Sequence, residues 1–278
     1  MKIVFTREKI TEHIWRIFGL GDTCMYYVEG KQRGLLIDTA YGIGDLRTYI
    51  EKTFLQPYEV LLTHGHWDHA NGAGQWDRVY LHRKDRELYR SFTDISFRRD
   101  RLRKTVKDID TCPEELFVKD FEGDFSDLEE GMRFRLGDVT AEVIETPGHT
   151  QGIVSLLVEE DRTLLLGDAC GEFTFMFREE ASAIATYQRT LKKILDQKDR
   201  YDRILRQHGS YGSPLSLIKE NMELCHEILE KRDDHIPWNY MGQPVYVAKK
   251  IDPDTHRRAD GKSGNIVYSM NKLHKETI

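Results

Sequence analysis

The sequence predicts an α/β chain that carries its reactive groups at the ends of strands. Three observations support this. Short β-branched and aromatic runs, broken by glycine, alternate with longer stretches of helical apolar spacing. Of the 278 residues 39% are hydrophobic and 10% aromatic, which suits a packed core and excludes wholesale disorder. Metal-capable side chains recur directly after apolar runs, where an α/β sheet presents its ligand groups.

Element by element, Ile14–Phe18, Cys24–Glu29 and Gly34–Asp38 read as strands, separated by Gly19, Gly21 and Gly30. Gly42 and Gly44 open a loop into a helix over Leu46–Phe54. Glu59–Thr63 is a compact apolar strand ending at His64, and Arg78–His82 is a further short one. Residues 83–130 differ in texture: cations dominate from Arg83 to Asp110 and acids from Glu114 to Glu130. This stretch is expected to be a helical insertion over the core, its charges mostly on solvated helix faces. Strand signals return at Arg133–Leu136, Val139–Glu145, Ile153–Val158 and Thr163–Leu166. Ala181–Leu195 is an amphipathic helix, and Tyr201–Arg206 a strand leading to His208. Ser213-Pro214 is expected to cap and start a helix to about Lys231. A polar, basic segment follows, with a turn at Asp260-Gly261-Lys262. The simplest organisation is one domain over 1–234 containing the 83–130 insertion, with 235–278 as a C-terminal extension packed on it.

The charge balance, 41 Lys+Arg against 47 Asp+Glu for a net −6, argues against a protein held to nucleic acid by overall charge. Met1-Lys2-Ile3-Val4-Phe5 lacks the apolar core of a signal peptide, and no run approaches the ~20 apolar residues of a membrane helix. Cys24, Cys112, Cys170 and Cys225 are dispersed, which fits a reducing cytoplasm. With 11 histidines against 4 cysteines, imidazole and carboxylate are the expected ligands of any bound metal.

The peptide Thr63-His64-Gly65-His66-Trp67-Asp68-His69 places four metal-capable side chains within six residues, directly after a strand. His64 and His66 can share one side of an extended segment because side chains alternate with period two. Asp68 and His69 lie beyond the bend. No single helix would bring all four to one point, so a loop at the strand end is expected. A lone histidine is ordinarily a hydrogen-bonded core or surface residue. Burying three imidazoles and a carboxylate together without a metal would leave polar groups hard to satisfy. Three downstream positions extend the set: His149 in Thr146-Pro147-Gly148-His149-Thr150, Asp168 after Leu164-Leu165-Leu166-Gly167, and His208 in Gln207-His208-Gly209.

From Ile10 to Gly212 these elements, in this order, resemble the metallo-β-lactamase superfamily of metallohydrolases. Leu36-Ile37-Asp38-Thr39 looks like its first motif, followed by H-x-H-x-D-H, the Pro-Gly-His turn, the Gly-Asp strand end and a final His-Gly. The resemblance implies an αββα sandwich of two mixed sheets flanked by helices. It also implies one ion on His64, His66 and His149, a second on Asp68, His69 and His208, and Asp168 bridging both. Such a nitrogen and oxygen set suits zinc first, with iron or manganese as alternatives. His66 stands where the superfamily's iron flavoproteins typically carry Glu, and no thiolate joins the cluster as in many true β-lactamases. Both departures favour a dinuclear hydrolase. Cys170, two residues past Asp168, reads as a packing residue.

Two adjacent cations would acidify a shared water towards ~7, giving a hydroxide nucleophile at neutral pH, and would polarise the substrate. Asp68 is the expected catalytic residue, orienting the hydroxide and shuttling its proton to the leaving group. Asp38 is expected behind the ligand loop as a hydrogen-bond acceptor, or as a plain strand-end bond, and Tyr211 as a donor to a developing oxyanion. Trp67, Tyr41, Phe173, Phe175, Phe177 and Tyr211 hint at a partly apolar rim. The expected substrate is a small ester, thioester or lactone; the alternative is a phosphodiesterase or nuclease of the same superfamily. Neither a nucleic-acid nor a membrane partner is expected, and a homo-oligomer is left open.

Overall fold

The glycine-broken apolar runs of the N-terminal third form a five-stranded sheet in sequence order: β1 (Thr6–Lys9), β2 (Ile14–Phe18), β3 (Cys24–Glu29), β4 (Gly34–Ile37) and β5 (Tyr58–Leu61). The first four pair antiparallel and β5 runs parallel to β4. A parallel return needs a crossover, and α1 (Leu46–Thr53) supplies it. Asp45 caps α1 by accepting from the Thr48 N–H at 2.9 Å, and Leu46 and Ile50, one turn apart, are its buried residues. Tyr27 stacks on Phe54 with centroids 3.9 Å apart, within a core that includes Met25, Leu36 and Val60. Each fully buried side chain of this kind contributes about 1.5–3 kcal/mol.

The computed structural model describes residues 3–274. They divide into two units: 3–144 with Leu156–Asp161 and Gln207–Gly209, and Glu145–Ser155 with Arg162–Arg206 and 210–274. The first also holds α2 (Trp67–Ala70), α3 (Arg86–Ser91), α4 (Ile95–Leu102) and the hairpin of β6 (Arg133–Arg135) and β7 (Thr140–Glu145). The boundary passes through β8 (Val154–Val158).

In the second unit β9 (Thr163–Leu165) runs parallel to β11 (Arg203–Leu205), with the two-residue β12 (Gly212–Ser213) antiparallel beside it. Helix α5 (Ile184–Leu195) buries Ile184, Tyr187, Leu191 and Ile194, the helical spacing seen in the sequence, and α6 (Ser216–Leu229) follows. The extension supplies β13 (Ile236–Tyr240), β14 (Gln243–Val247) and β15 (Ile266–Tyr268). With β10 (Thr174–Met176) these form a sheet of order β10-β15-β14-β13. A two-residue turn, Met241 and Gly242 with φ 54° and 88°, joins β13 to β14 as such hairpins require. The described residues thus contain strand groups of mixed direction, and the extension builds a sheet beyond the two expected from the sequence.

Two local expectations fail for identifiable reasons. Arg78–His82 is not a strand. Extended pairing is confined to Tyr80, which bridges Leu61 and Ser126, because the chain turns at once into a 3₁₀ turn (Arg83–Asp85) where the His82 ring accepts from the Lys84 N–H. Ser213 does not cap α6: its hydroxyl accepts from Arg206 Nε at 2.6 Å, and the helix starts three residues later. No helix among the described residues is long and apolar enough to cross a membrane.

Candidate metal centre

Beyond β5 the pairing continues for one residue, the Leu62 N–H donating to the Tyr80 carbonyl at 2.9 Å, and Thr63-His64-Gly65-His66 then leaves the sheet. Gly65 is required here, since a Cβ would lie 2.5 Å from the Asp85 carbonyl oxygen. The Gly65 N–H donates to the buried Asp85 carboxylate at 3.0 Å. His66 takes the cap position of α2 without a side-chain cap bond, so Asp68 and His69 sit in a helical turn and not in the loop expected. The motif is bipartite: the extended half carries His64 and His66, the helical half Asp68 and His69. His64, His66 and His69 are buried.

The nitrogens converge. His64 Nε2 lies 3.1 Å from His66 Nδ1, and His69 Nε2 lies 3.2 Å from His208 Nε2. Asp68 Oδ2 is 3.3 Å from His208 Nε2 and 4.0 Å from His69 Nε2. The ligand atoms of Asp68, His69 and His208 all lie within 4.8 Å of one another. His208 reaches this place because the Cys24 N–H donates to the Gln207 carbonyl at 2.9 Å and Thr23 bridges His208, which ties residues 207–209 to the start of β3.

Asp38 lies behind the ligands. It is fully buried at the end of β4, with φ 65°, and accepts the Thr63 N–H at 2.6 Å, the Thr63 hydroxyl at 2.8 Å and His69 Nδ1 at 2.7 Å. Gln207 Nε2 donates to the same carboxylate. With Nδ1 donating to Asp38, the lone pair of His69 is on Nε2, the atom facing His208 and Asp68.

In the second unit His149 follows the Pro147-Gly148 turn. A Cβ on Gly148 would lie 2.6 Å from the Tyr187 ring. His149 Nδ1 bonds the Phe175 carbonyl at 3.0 Å, which leaves Nε2 as the acceptor, 3.8 Å from Asp168 Oδ2. Asp168 follows β9 through Leu166 and a left-handed Gly167. Tyr211 is itself left-handed (φ 61°), and its carbonyl accepts the Arg206 N–H at 2.5 Å.

Cys170 is packed as expected, and other residues are redrawn. Tyr41 is buried and donates to Asp22 Oδ1 at 2.7 Å; burial, with Asp68 and Asp22 nearby, pushes its phenol well up, so it stays neutral. Phe173 and Phe175 pack against a cluster of Phe177, Val245, Val247 and Val267. Cys170 is buried, accepts from Asn221 Nδ2 at 3.3 Å, and burial pushes its thiol up to about 12. The basic run is not a solvated face throughout: Arg98 is 1% exposed and donates to the carbonyls of Val118, Tyr41 and Gly42. Three residues of the site escaped the sequence reading. Thr63 and Gln207 each directly precede a ligand-type histidine, a usable signal; Asp85, twenty residues from Gly65, offered none.

The donor set fits divalent metals. Two facing imidazole nitrogens 3.1–3.2 Å apart either share one proton or, with both lone pairs free, ligate one cation, and His69, with Nδ1 donating to Asp38, has the Nε2 lone pair available for this. The donors are nitrogen and oxygen, and Cys24 and Cys170 are both buried with their thiols pushed up to about 12.

A mixed α/β fold with histidines and aspartates gathered just past strand ends defines a protein built around a divalent-metal centre. Residues 19–207 match the family model of the metallo-beta-lactamase superfamily, and the chain belongs to that superfamily. It is 29% identical over 304 aligned positions to the beta-lactamase-like protein 2 homolog of Drosophila melanogaster, covering 99% of this chain and 92% of that one. It is 24% identical over 191 residues to the human acyl-coenzyme A thioesterase MBLAC2, covering 63% and 68%. The fold matches a metallo-beta-lactamase from Pontibacter korlensis with a TM-score of 0.59 at 17% identity, over 80% of this chain and 99% of that one.

Proposed function

We propose that this chain is a dinuclear metal-dependent hydrolase of small acyl esters, thioesters first. His64, His66 and His149 would hold one ion and Asp68, His69 and His208 a second, with Asp168 available to both. The observation that carries the reading is the convergence of Asp68, His69 and His208 within 4.8 Å, with His69 oriented from behind by Asp38. Zinc is the first candidate for such donors, iron and manganese the alternatives. The similarity to a human acyl-coenzyme A thioesterase supports the thioester among the ester-type substrates.

When bound, the ions supply Lewis acidity, acidifying a water and polarising the acyl carbonyl. The chain's own groups do the rest. Asp38 holds His69 in the tautomer that offers Nε2. Asp68 Oδ2, 3.3 Å from His208 Nε2, accepts a proton from the attacking water and returns it to the leaving group. Water adds to the acyl carbon, the carbon–sulfur bond breaks, and a carboxylic acid and a thiol leave. All four cysteines are buried and outside any disulfide, which supports a reducing cytoplasm as the working compartment, with a small molecule as partner.

The test pairs metal analysis with a substrate panel of thioester, lactone, aryl ester, β-lactam and phosphodiester on metal-replete protein. The expected result is about two metal equivalents and thioester turnover, with Asp68→Ala lowering kcat about 10²- to 10⁴-fold. One tight ion or none in folded protein overturns the dinuclear site. Activity confined to the phosphodiester makes the chain a phosphodiesterase instead.

A further inference from the structure

We propose that the 83–130 insertion builds an acyl subsite onto the metal centre. Trp67, Phe92 and Phe97 form its apolar wall, and Arg101 at the wall's edge receives an anionic group of the same substrate. The proposal rests on the thioesterase reading above.

Trp67 is the first residue of α2, between His66 and Asp68. Its ring lies 5.3 Å from that of His66, centroid to centroid, and Phe92 lies 5.8 Å from His66. Trp67 meets Phe92 edge-on at 4.9 Å and Phe97 at 5.3 Å, while Phe92 and Phe97 stack at 5.1 Å. The three rings therefore form one continuous surface that starts at a ligand-type histidine. Trp67, Phe92 and Phe97 are each half-buried, and Phe92 and Phe97 lie outside the buried cluster of Tyr41, Leu102 and Phe117 against which Trp67 partly packs.

The wall is not needed to anchor the insertion, because buried polar bonds already do that. Asp85 holds the Gly65 N–H, Asn71 Nδ2 donates to the Phe92 carbonyl at 2.9 Å, and Arg98 donates to the Tyr41 and Gly42 carbonyls. The bond from Asn71, directly after α2, fixes Phe92 relative to the ligand helix itself.

Arg101 reaches a different place from its neighbours in the basic run. Arg98 and Arg99 donate to carbonyls, and Arg103 pairs with Asp100 and Asp110. The Arg101 guanidinium lies across the rings, 4.9 Å from the Phe97 centroid and 5.7 Å from that of Trp67, with Asp100 Oδ2 4.0 Å from its Nη2 and its side chain 23% exposed. A cation over aromatic faces beside an apolar wall suits an apolar chain that carries an anion. The anion has two sources, a carboxylate at the far end of the acyl chain or a phosphate of the thiol carrier.

The test compares wild type, Phe97→Ala, Phe97→Leu and Arg101→Gln on acetyl and octanoyl thioesters of N-acetylcysteamine, octanoyl-coenzyme A and an ω-carboxyoctanoyl thioester. Phe97→Ala should raise KM about 5- to 20-fold for octanoyl substrates and leave acetyl unchanged, and Phe97→Leu should restore most of the loss. Arg101→Gln should raise KM about 5- to 10-fold for one anionic substrate and spare the neutral octanoyl thioester; the substrate affected identifies the source. Equal effects on acetyl and octanoyl, or none, overturn the wall. Calorimetric titration with octanoate against acetate reads the wall without turnover. Octanoate should bind about 5-fold more weakly to Phe97→Ala, and unchanged binding overturns the proposal even if no thioester is hydrolysed. Absence of turnover in wild type with the octanoate difference intact counts against the thioesterase reading alone.

Discussion

Asp38→Asn separates a residue that tunes a metal ligand from one that merely ties strand ends. The substitution keeps shape and suits the left-handed backbone, where Asn is among the tolerated residues. It removes an acceptor facing three donors: the Thr63 hydroxyl, His69 Nδ1 and Gln207 Nε2. A hydroxyl rotates and an amide flips, so Thr63 and Gln207 can adapt. His69 adapts only by moving its proton from Nδ1 to Nε2, the atom that faces His208 Nε2 at 3.2 Å. The lone pair offered to a metal is then lost. Loss of such a supporting partner costs about 10- to 100-fold in metal affinity, about 1.4–2.8 kcal/mol. Imperfect satisfaction of the buried donors adds about 2–4 kcal/mol to the cost in folded, metal-free protein. Competition titration of zinc against a chromophoric chelator reads the first quantity, and urea unfolding in the presence of EDTA reads the second. A variant that is less stable but binds zinc as tightly as wild type would refute the argument and leave Asp38 a strand-end tie.

Two further predictions concern residues away from the ligands. His13 is buried, and although burial pulls its pKa down, its hydrogen bond to Asp161 at 2.6 Å, the charges of Asp161 and Asp138, and Glu12 together raise it above the ordinary 6.5. The group is charged in the fold, with Thr11 on Asp161 and Lys31 on Asp138, so its contribution is complete below 6.5 and fades as pH rises through the raised value. Melting temperature should fall from pH 6 to 8.5 in wild type and much less in Asp161→Asn, which should be about 1.5–3 kcal/mol less stable at pH 6; parallel profiles would sink the idea. Arg98→Met should cost about 2–4 kcal/mol in urea unfolding, because the carbonyls of Tyr41, Gly42 and Val118 lose their donor, and a change below about 0.5 kcal/mol would contradict it.

What was legible in the sequence depended on the range of the interaction. Strands β2, β3, β4 and α1 follow from local alternation, glycine breaks and helical apolar spacing, and their sequence bounds agree with the structure to within a residue at each end. The ligand-type residues were legible because their chemistry is concentrated: four within six positions, the others each closing an apolar run. Several failures come from partners outside the segment. Ser213 has the profile of a helix cap, but Arg206 takes its hydroxyl. β1 is exposed along its length and exists by pairing with β2, and β10 exists by pairing with a strand some ninety residues later, so neither shows in its own residues.

The charged insertion shows the same limit most sharply. Its residues read as solvated faces because charge is visible in sequence and burial is not. Arg98 is among the most buried large side chains of the described residues, and burial holds its guanidinium down to about 10, still cationic at neutral pH. A buried arginine satisfied by carbonyls of residues 41 and 42 is affordable only where those carbonyls have a reason to point inward. They do: Gly42, with φ 64°, is so closely packed that a Cβ would lie 2.0 Å from the Asn71 carbonyl oxygen, and the Thr39 N–H donates to the His69 carbonyl at 2.7 Å. Residues 39–42 therefore grip the ligand helix from one side while Arg98 grips them from the other. Asp85 on Gly65 and Asn71 on Phe92 complete the hold from within the first unit. The insertion is thus fastened to both halves of the His64–His69 motif, and changes in it should be felt at the histidine cluster before they are felt in the sheet.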